Sequence, residues 1–530
     1  MSDIVIGKFT LESLSTGMYA DPRAIYREYI QNATDSIDHA MRDGLISKDD
    51  AEIHITITPE KREIRIRDNG TGIAVEKVWN TLSDIGNSSK DYAEDRGFRG
   101  IGRLGGLAYC DNLYFISKAA NEAVESVMRW DCKRMRELVS PSNNEIPDIV
   151  GVIEAITTIE QRTVEDSRTH YFEVVMKGII EGAEVLIDEN EIKQYLSIVA
   201  PVDFDAQKFR QAKRIKDFFA EKEQQISTYK IFFGKRRMPV YKLYTRRLDT
   251  SVGLRRKKEN EYIKEVELLY QEYSDGRPMY IGWLAITDFS GQIKDENLRG
   301  IRLRKNNILI GDAQTFDSYF PSEGYTANKM FAGEIHVLDE NIIPNSQRDD
   351  FEPNAALAEM RQYLSQWAGE INRKYRRGTS NASSAMRRIE EGIARQRDIE
   401  ERIDNGAISS EQKKEELKNE LEKVQKQIKR DEATLRKAIE SGVLEAERKE
   451  KAQDVLDKTK KATQDAVNIS TKIVKADYAT KGDLPSSYSR DERKLYQRII
   501  EVVDSFFAEE HETAEKLRAA IIQELRAKKK

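Results

Sequence analysis

Cysteine is nearly absent from this chain: 530 residues hold two, Cys110 and Cys132. Neither has metal-type spacing, so both are expected as reduced residues in or near a core. The five histidines are scattered and form no metal cluster. No apolar run approaches the ~20 residues that cross a bilayer. Met1-Ser2-Asp3-Ile4-Val5-Ile6-Gly7-Lys8 lacks the basic-then-apolar pattern of a signal segment. These absences point to the cytoplasm and to no membrane partner. An excess of one charge is missing too, since 87 basic against 92 acidic residues leave −5. That balance excludes a protein that coats nucleic acid over its whole surface, while leaving room for a local basic patch. The length allows about three domains with ample core.

What is present concentrates between Asp21 and Gly106. Glu28-Tyr29-Ile30-Gln31-Asn32-Ala33-Thr34-Asp35 lies in a predicted helix that Asp21 can cap and Pro22 can open. Glu28, Asn32 and Asp35 share one face of it. Two carboxylates and an amide in a row suit Mg²⁺, which takes oxygen ligands, and suit the steering of a water. Two alternating runs, 52–57 and 63–67, read as a hairpin ending in Asp68-Asn69-Gly70-Thr71-Gly72. That places a carboxylate beside a backbone able to approach a ligand. Third comes Arg96-Gly97-Phe98-Arg99-Gly100-Ile101-Gly102-Arg103-Leu104-Gly105-Gly106. Its glycines and arginines suit a loop that offers N–H groups and positive charge to phosphates. Taken singly the motifs are a solvated helix face, a hairpin turn and a glycine-rich run. In this order and this close together they read as one pocket.

With these motifs the chain resembles the GHKL-type ATPases, which include gyrase, the ninety-kilodalton heat-shock chaperones, sensor histidine kinases and MutL. Tyr26-Arg27-Glu28-Tyr29-Ile30-Gln31-Asn32-Ala33-Thr34-Asp35 is most similar to the chaperone version. The resemblance covers about residues 5–160. It implies ATP and Mg²⁺ as cofactors, Glu28 as general base, Asn32 as the Mg²⁺ ligand, Asp35 as a supporting polar contact and Asp68 as reader of the adenine amino group. Gly72, Gly100, Ile101, Gly102, Arg103 and Gly105 would line the nucleotide. Ser88, Ser89 and Lys90 resemble the start of the family's lid, where hydroxyls and a lysine reach ribose and phosphates. Two departures stand out: the last glycines are compressed to Gly105-Gly106, and the strand expected behind the adenine, Gly151-Val152-Ile153-Glu154, offers Val152 in place of threonine.

The expected fold class is α+β. Residues 1–160 would form an α/β-sandwich ATPase domain and 165–375 an α/β middle, transducer-like domain. An all-α region containing a coiled coil would follow, 385–476, and then a helical pair, 488–530. The middle region reads as a helix from Glu173 to Glu184, then strands at 227–233 and 279–286. In Asn297–Gly311, Ile301 and Leu303 fall on one side and Arg302 and Arg304 on the other. Ile342-Ile343-Pro344-Asn345-Ser346-Gln347-Arg348-Asp349-Asp350 is similar to the chaperone loop that reaches the γ-phosphate. Carried over, Arg348 would act as an arginine finger; the alternatives are an ion pair with Asp349 or Asp350, or Lys305 in the same role. Residues 376–384 read as a linker. Leu417, Leu421, Val424, Ile428, Leu435 and Ala438 give about three heptads interrupted by Asp431. This pattern allows pairing within or between chains. Phe506 and Phe507 on the last helical pair point to a homodimer.

The implied activity is hydrolysis of ATP to ADP and phosphate by a chaperone-like enzyme. Its nucleotide state would drive lid closure (about 82–100) and dimer shape, with a protein client or effector as further partner. The rival is an ATP-gated nucleic-acid clamp similar to MutL or the microrchidia ATPases. It would use the basic clusters of 235–258, interleaved with Tyr241 and Tyr244 and followed by Tyr262. A histidine kinase would place a phosphoacceptor helix before the pocket, and a topoisomerase would need an acidic metal-binding module. A scaffold with a degenerate pocket would not need Glu28, Asn32 and Asp68.

Overall fold

A computed structural model describes residues 6–15, 17, 19, 21–87, 96, 100–143, 145–251, 259–287, 289, 291–320, 324–404, 411–440, 444, 446–475, 484, 488–507 and 510–528. They form two compact units, Met1–Gly369 and Glu370–Lys530. The fold is α+β: the first unit carries mixed sheets, and the elements described in the second are all helices.

In the first unit α1 (Phe9–Ser15) leads into α2 (Ala24–Arg42). The Asp21 carboxylate accepts the Arg23 backbone N–H at 3.0 Å, and Pro22 occupies the opening turn. Ile25, Tyr26, Tyr29, Ile30, Ala33 and Ile37 turn the apolar stripe of α2 onto the sheet. That sheet has eight strands: β1 (Glu52–Thr58), β2 (Glu63–Asp68), β3 (Cys110–Lys118), β4 (Val124–Asp131), β5 (Thr157–Thr163), β6 (Tyr171–Ile179), β7 (Lys230–Phe233) and β8 (Met238–Pro239). Their order is β5-β4-β3-β6-β2-β1-β7-β8. Neighbours run antiparallel apart from β1 and β7. The β1–β2 hairpin pairs Thr58 with Glu63 and Ile53 with Asp68, which brings Asp68 to the strand end facing α2. Cys110 and Cys132 are buried free thiols with sulfurs 3.8 Å apart, and burial pushes the Cys110 thiol up.

The sheet corrects three expectations. Glu173–Glu184 is not a helix, because residues 171–179 form β6, held between β3 and β2. A strand covered on both faces loses the alternation that marks a half-buried one, and a short apolar run then cannot be told from a helix by its period. Gly151–Glu154 is not a strand but part of the helix Ile149–Ile156, whose N-cap Asp148 accepts the Gly151 N–H at 2.8 Å. The sheet also continues past residue 160, taking β6, β7 and β8 from the region expected to be a separate domain.

Beyond it, a five-stranded sheet runs Glu265–Glu272, Pro278–Ile286, Ala332–Val337, Gly300–Lys305, Ile308–Ile310. It packs with the helix Ala212–Glu221 around Phe204, Phe209, Ile215, Phe219 and Trp283. Both sides of Gly300–Lys305 are buried. Arg304 there meets Glu334 at 2.6 Å and Lys242 meets it at 2.9 Å, with His336 at 3.3 Å. Burial brings Lys242 down to about 7 and His336 to about 4.

In the second unit, Gly378–Asp404, Glu411–Glu440 and Ala446–Lys475 pack as an up-down-up trio. One core joins Ala382 and Ile389 to Leu435 and Val455, and another joins Ile399 to Leu417, Leu421 and Ile469. Within this chain, then, the heptads pair with their own neighbours. Asp431 accepts Arg388 Nε at 3.0 Å and Gln427 at 2.7 Å, a polar lock of the kind that fixes helix register. The stretch 376–384, expected as a linker, is helical from Gly378. Ala382 is wholly buried, and packing outweighs the weak propensity of its polar neighbours. The helices Arg490–Phe506 and His511–Lys528 close on Tyr496, Ile500, Ile521 and Leu525.

Candidate active site

A cavity of about 390 Å³ opens between α2 and the ends of β2, β3 and β6. Glu28 and Asn32 enter from α2, Asp68, Thr71 and Gly72 from the end of β2, Gly100, Ile101, Gly102 and Arg103 from the glycine-rich segment, and Ser346 and Arg348 from the distant loop. Ile66, Phe115, Phe172 and Val174 make an apolar wall beside Asp68. Such a wall with a single carboxylate at its edge suits a flat heterocycle bearing an amine. Asp68 is 4% exposed, and its Oδ1 accepts the Gly70 N–H at 2.9 Å. Gly72 has φ +64, and a side chain there would run into the Lys118 carbonyl, so only glycine lets the turn close on β3.

Glu28 is 6% exposed. Arg348 Nε donates to its Oε1 at 3.2 Å, and Arg27 Nε lies 3.7 Å from the same oxygen. Burial, then Glu28, pushes the Tyr19 phenol well up, so Tyr19 stays a neutral donor beside this carboxylate. A Cβ on Gly102 would sit 2.5 Å from Glu28 Oε2, so glycine makes room for the second oxygen. Arg348 holds φ +58, unusual for a side-chain-bearing residue. Its Nη2 donates to the Arg96 carbonyl at 2.8 Å. The acids beside it in sequence are engaged elsewhere: Asp350 with Arg361 at 2.6 Å, Asp349 with Asn345 at 2.6 Å.

Several sequence-predicted residues are placed differently. Asp35 and Gly105 do not line the cavity. Asp35 accepts the Arg96 backbone N–H at 3.0 Å and its guanidinium at 3.4 Å. Arg96 also holds Asp38 at 2.6 Å and Tyr229 at 2.7 Å, so its charge goes to protein partners. Gly105 packs against Ile25 and Tyr19. Arg103 lines the cavity, but its donors go to the carbonyls of Leu82, Gly100 and Asp84, and burial brings it down to about 10. Lys305 lies elsewhere, donating to the Asp339 carbonyl at 2.6 Å. Val152 is in the core, so Val174 on β6, and not Val152, lies behind the cavity. Ser88, Ser89 and Lys90 lie outside the described residues, as do Arg255 to Lys258.

Sequence reasoning missed Ser36 and His39, which line the cavity four and seven residues beyond Asn32. Extending the helix-face stripe would have found them. Asn80, Asp84 and Asn87 line it as well, from in and after the helix Val78–Ser83, with no motif to mark them.

The donor set fits Mg²⁺ bound together with a nucleotide. No cluster of three or more metal-ligating His, Cys, Asp or Glu occurs among the described residues. One amide oxygen, from Asn32, with phosphate oxygens and waters is the kind of shell Mg²⁺ accepts.

Residues 22–161 match the profile of the histidine kinase-, DNA gyrase B- and HSP90-like ATPases. The chain therefore carries a GHKL-type ATPase domain. Within that class its curated relatives are chaperones named HtpG. That of Halalkalibacterium halodurans is 30% identical over 140 residues, 23% of this chain and 22% of the relative. That of Natranaerobius thermophilus is 25% identical over 194 residues, 33% and 30% of the two chains. That of Mycobacterium tuberculosis is 27% identical over 141 residues, 23% and 22%. The matched stretch thus spans between 22% and 30% of the relatives' length. No helix among the described residues is long and apolar enough to cross a membrane.

Proposed function

We propose that this chain binds ATP with Mg²⁺ in the α2–β2 cavity and hydrolyses it as a chaperone-like dimeric enzyme of the cytoplasm. The observation that carries the reading is that Glu28, Asn32, Asp68 and Arg348, spread over more than 300 residues of sequence, line one cavity. Asp68 would accept the adenine amino group against the wall of Ile66, Phe115 and Val174. Asn32 would hold Mg²⁺, which when bound neutralises phosphate oxygens. Glu28 would take a proton from water as its oxygen attacks the γ-phosphorus; the bond to the β–γ bridging oxygen breaks and ADP leaves. For this, Arg348 must exchange Glu28 for the phosphoryl oxygens, where it would offset developing charge. Closure of the segment around 82–100 would accompany that exchange and keep bulk water out.

The dimer is proposed through the helix Arg490–Phe506. Leu495, Ile499, Val502 and Phe506 recur at steps of four, three and four on one face and are exposed, Phe506 to 81%. A second copy offering the same stripe would cover them. Turnover measured at several protein concentrations, with and without DNA, tests the reading. A rise in specific activity with concentration supports dimer-coupled hydrolysis, and stimulation by DNA favours the clamp alternative. Absence of any ATP turnover removes both.

A further inference from the structure

Two further cavities on the first unit share no lining residue with the one described above. The smaller, about 300 Å³, is lined by Arg210, Arg246 and Lys264 with Tyr262, and among the described residues no carboxylate lines it. The next residue, Arg247, lines a larger cavity of about 580 Å³ together with Lys193, so the Arg246-Arg247 pair stands between the two. Among the described residues, Asp295 is the one acid on the larger cavity's lining. In a chain of net charge −5 such a file of cations is not a by-product of overall basicity.

Hydrogen bonds to the main chain fix the segments around the smaller cavity. The Ile263 N–H donates to the Arg246 carbonyl at 2.8 Å, the Lys264 N–H to the Ile286 carbonyl at 3.0 Å, and Gln211 Nε2 to the Lys264 carbonyl at 2.9 Å. Tyr262 is 44% exposed, and the Arg246 guanidinium stands 5.7 Å from its ring centre.

We propose that this groove binds single-stranded nucleic acid, its phosphates on Arg210, Arg246, Arg247 and Lys264 and one base on Tyr262. The aromatic ring decides the ligand class: an acidic peptide needs only the cations, whereas an unpaired base gains from stacking. The small cavity is at the low end of ligand-pocket volumes, about 300 Å³, and has no depth for a duplex. This inference does not depend on ATP hydrolysis in the other cavity.

The test is fluorescence anisotropy of a labelled oligothymidylate of about 20 nucleotides, longer than the ~4–16 a single site occupies, with the full chain over a range of salt. Binding should weaken with salt, and Arg246→Gln or Lys264→Gln should each reduce the logarithmic salt slope by about 0.7. Arg246→Lys should keep the slope. Tyr262→Leu should weaken binding about tenfold with the slope unchanged. Unchanged thermal unfolding of these surface variants separates loss of binding from loss of fold. The proposal is overturned by any of four results: no binding at low salt, variants that bind like the wild type, a duplex of equal length that binds as tightly, or equal displacement by polyglutamate or inorganic phosphate.

Discussion

Arg348 offers the sharpest perturbation. Its side chain and that of Glu28 are each 8% exposed, and the two charged groups meet at 3.2 Å. Breaking a buried pair by removing one partner costs about 3–5 kcal/mol, because the other charge is left behind. Here Arg27 remains 3.7 Å from Glu28 and the cavity admits water, so Arg348→Ala should cost about 2–3 kcal/mol in the nucleotide-free protein. Arg348→Gly should cost about 1 kcal/mol less, since glycine relieves the left-handed backbone at φ +58. Beside Glu28→Gln, Arg348→Ala should cost under about 1 kcal/mol, giving a coupling of at least about 1 kcal/mol. Urea titration followed by tryptophan fluorescence reads the right unit, because Trp79, Trp130, Trp283 and Trp367 all lie before residue 370. In turnover, Arg348→Ala should lose about 10³-fold, the lower end for an arginine finger. Equal cost of Arg348→Ala beside Glu28 and beside Glu28→Gln, with turnover intact, would refute this reasoning.

Other consequences follow from the same geometry. Gly102→Ala places a methyl 2.5 Å from Glu28 Oε2, and the carboxylate must move. Turnover should fall by about 10²-fold while the urea midpoint stays near wild type, as expected for a base displaced by about 1 Å. His336, held neutral to about 4 by burial despite Glu334, should make the first unit lose stability as pH falls from 6.5 toward 4. Over that range the unfolded chain binds a proton that the native state refuses, which costs about 3 kcal/mol in full. An NMR titration of His336 with a midpoint near 6.5 would contradict this. Val502→Glu with Phe506→Glu should shift the chain toward monomer by light scattering, since each apolar side chain covered in a dimer contributes about 1.5–3 kcal/mol. An unchanged mass would place the dimer contact elsewhere or remove it.

The three motifs were legible because each is local. A helix stripe, a hairpin end and a glycine run need only neighbouring residues, and the fold brings Glu28, Asn32, Asp68 and Gly102 to one cavity. What sequence could not give was the choice among partners. Asp35 sits on the stripe beside Asn32, yet Arg96 claims it. Arg96 and Arg103 look like phosphate donors, yet protein acceptors surround them. The β6 strand was misread because residues on both its faces are buried, and its sheet neighbours β2 and β3 lie about 110 and 60 residues earlier in the chain. Asp431 read as a flaw in a heptad until Arg388 on the facing helix supplied its partner.

Turnover and binding of Mg²⁺–ATP by Glu28→Ala, set beside the wild type, test the central claim most directly. The account predicts that the variant binds the nucleotide about as tightly as the wild type and hydrolyses it about 10²–10⁴-fold more slowly, the usual share of a general base. Equal turnover by the two proteins, or failure of the wild type to bind ATP at all, would contradict it.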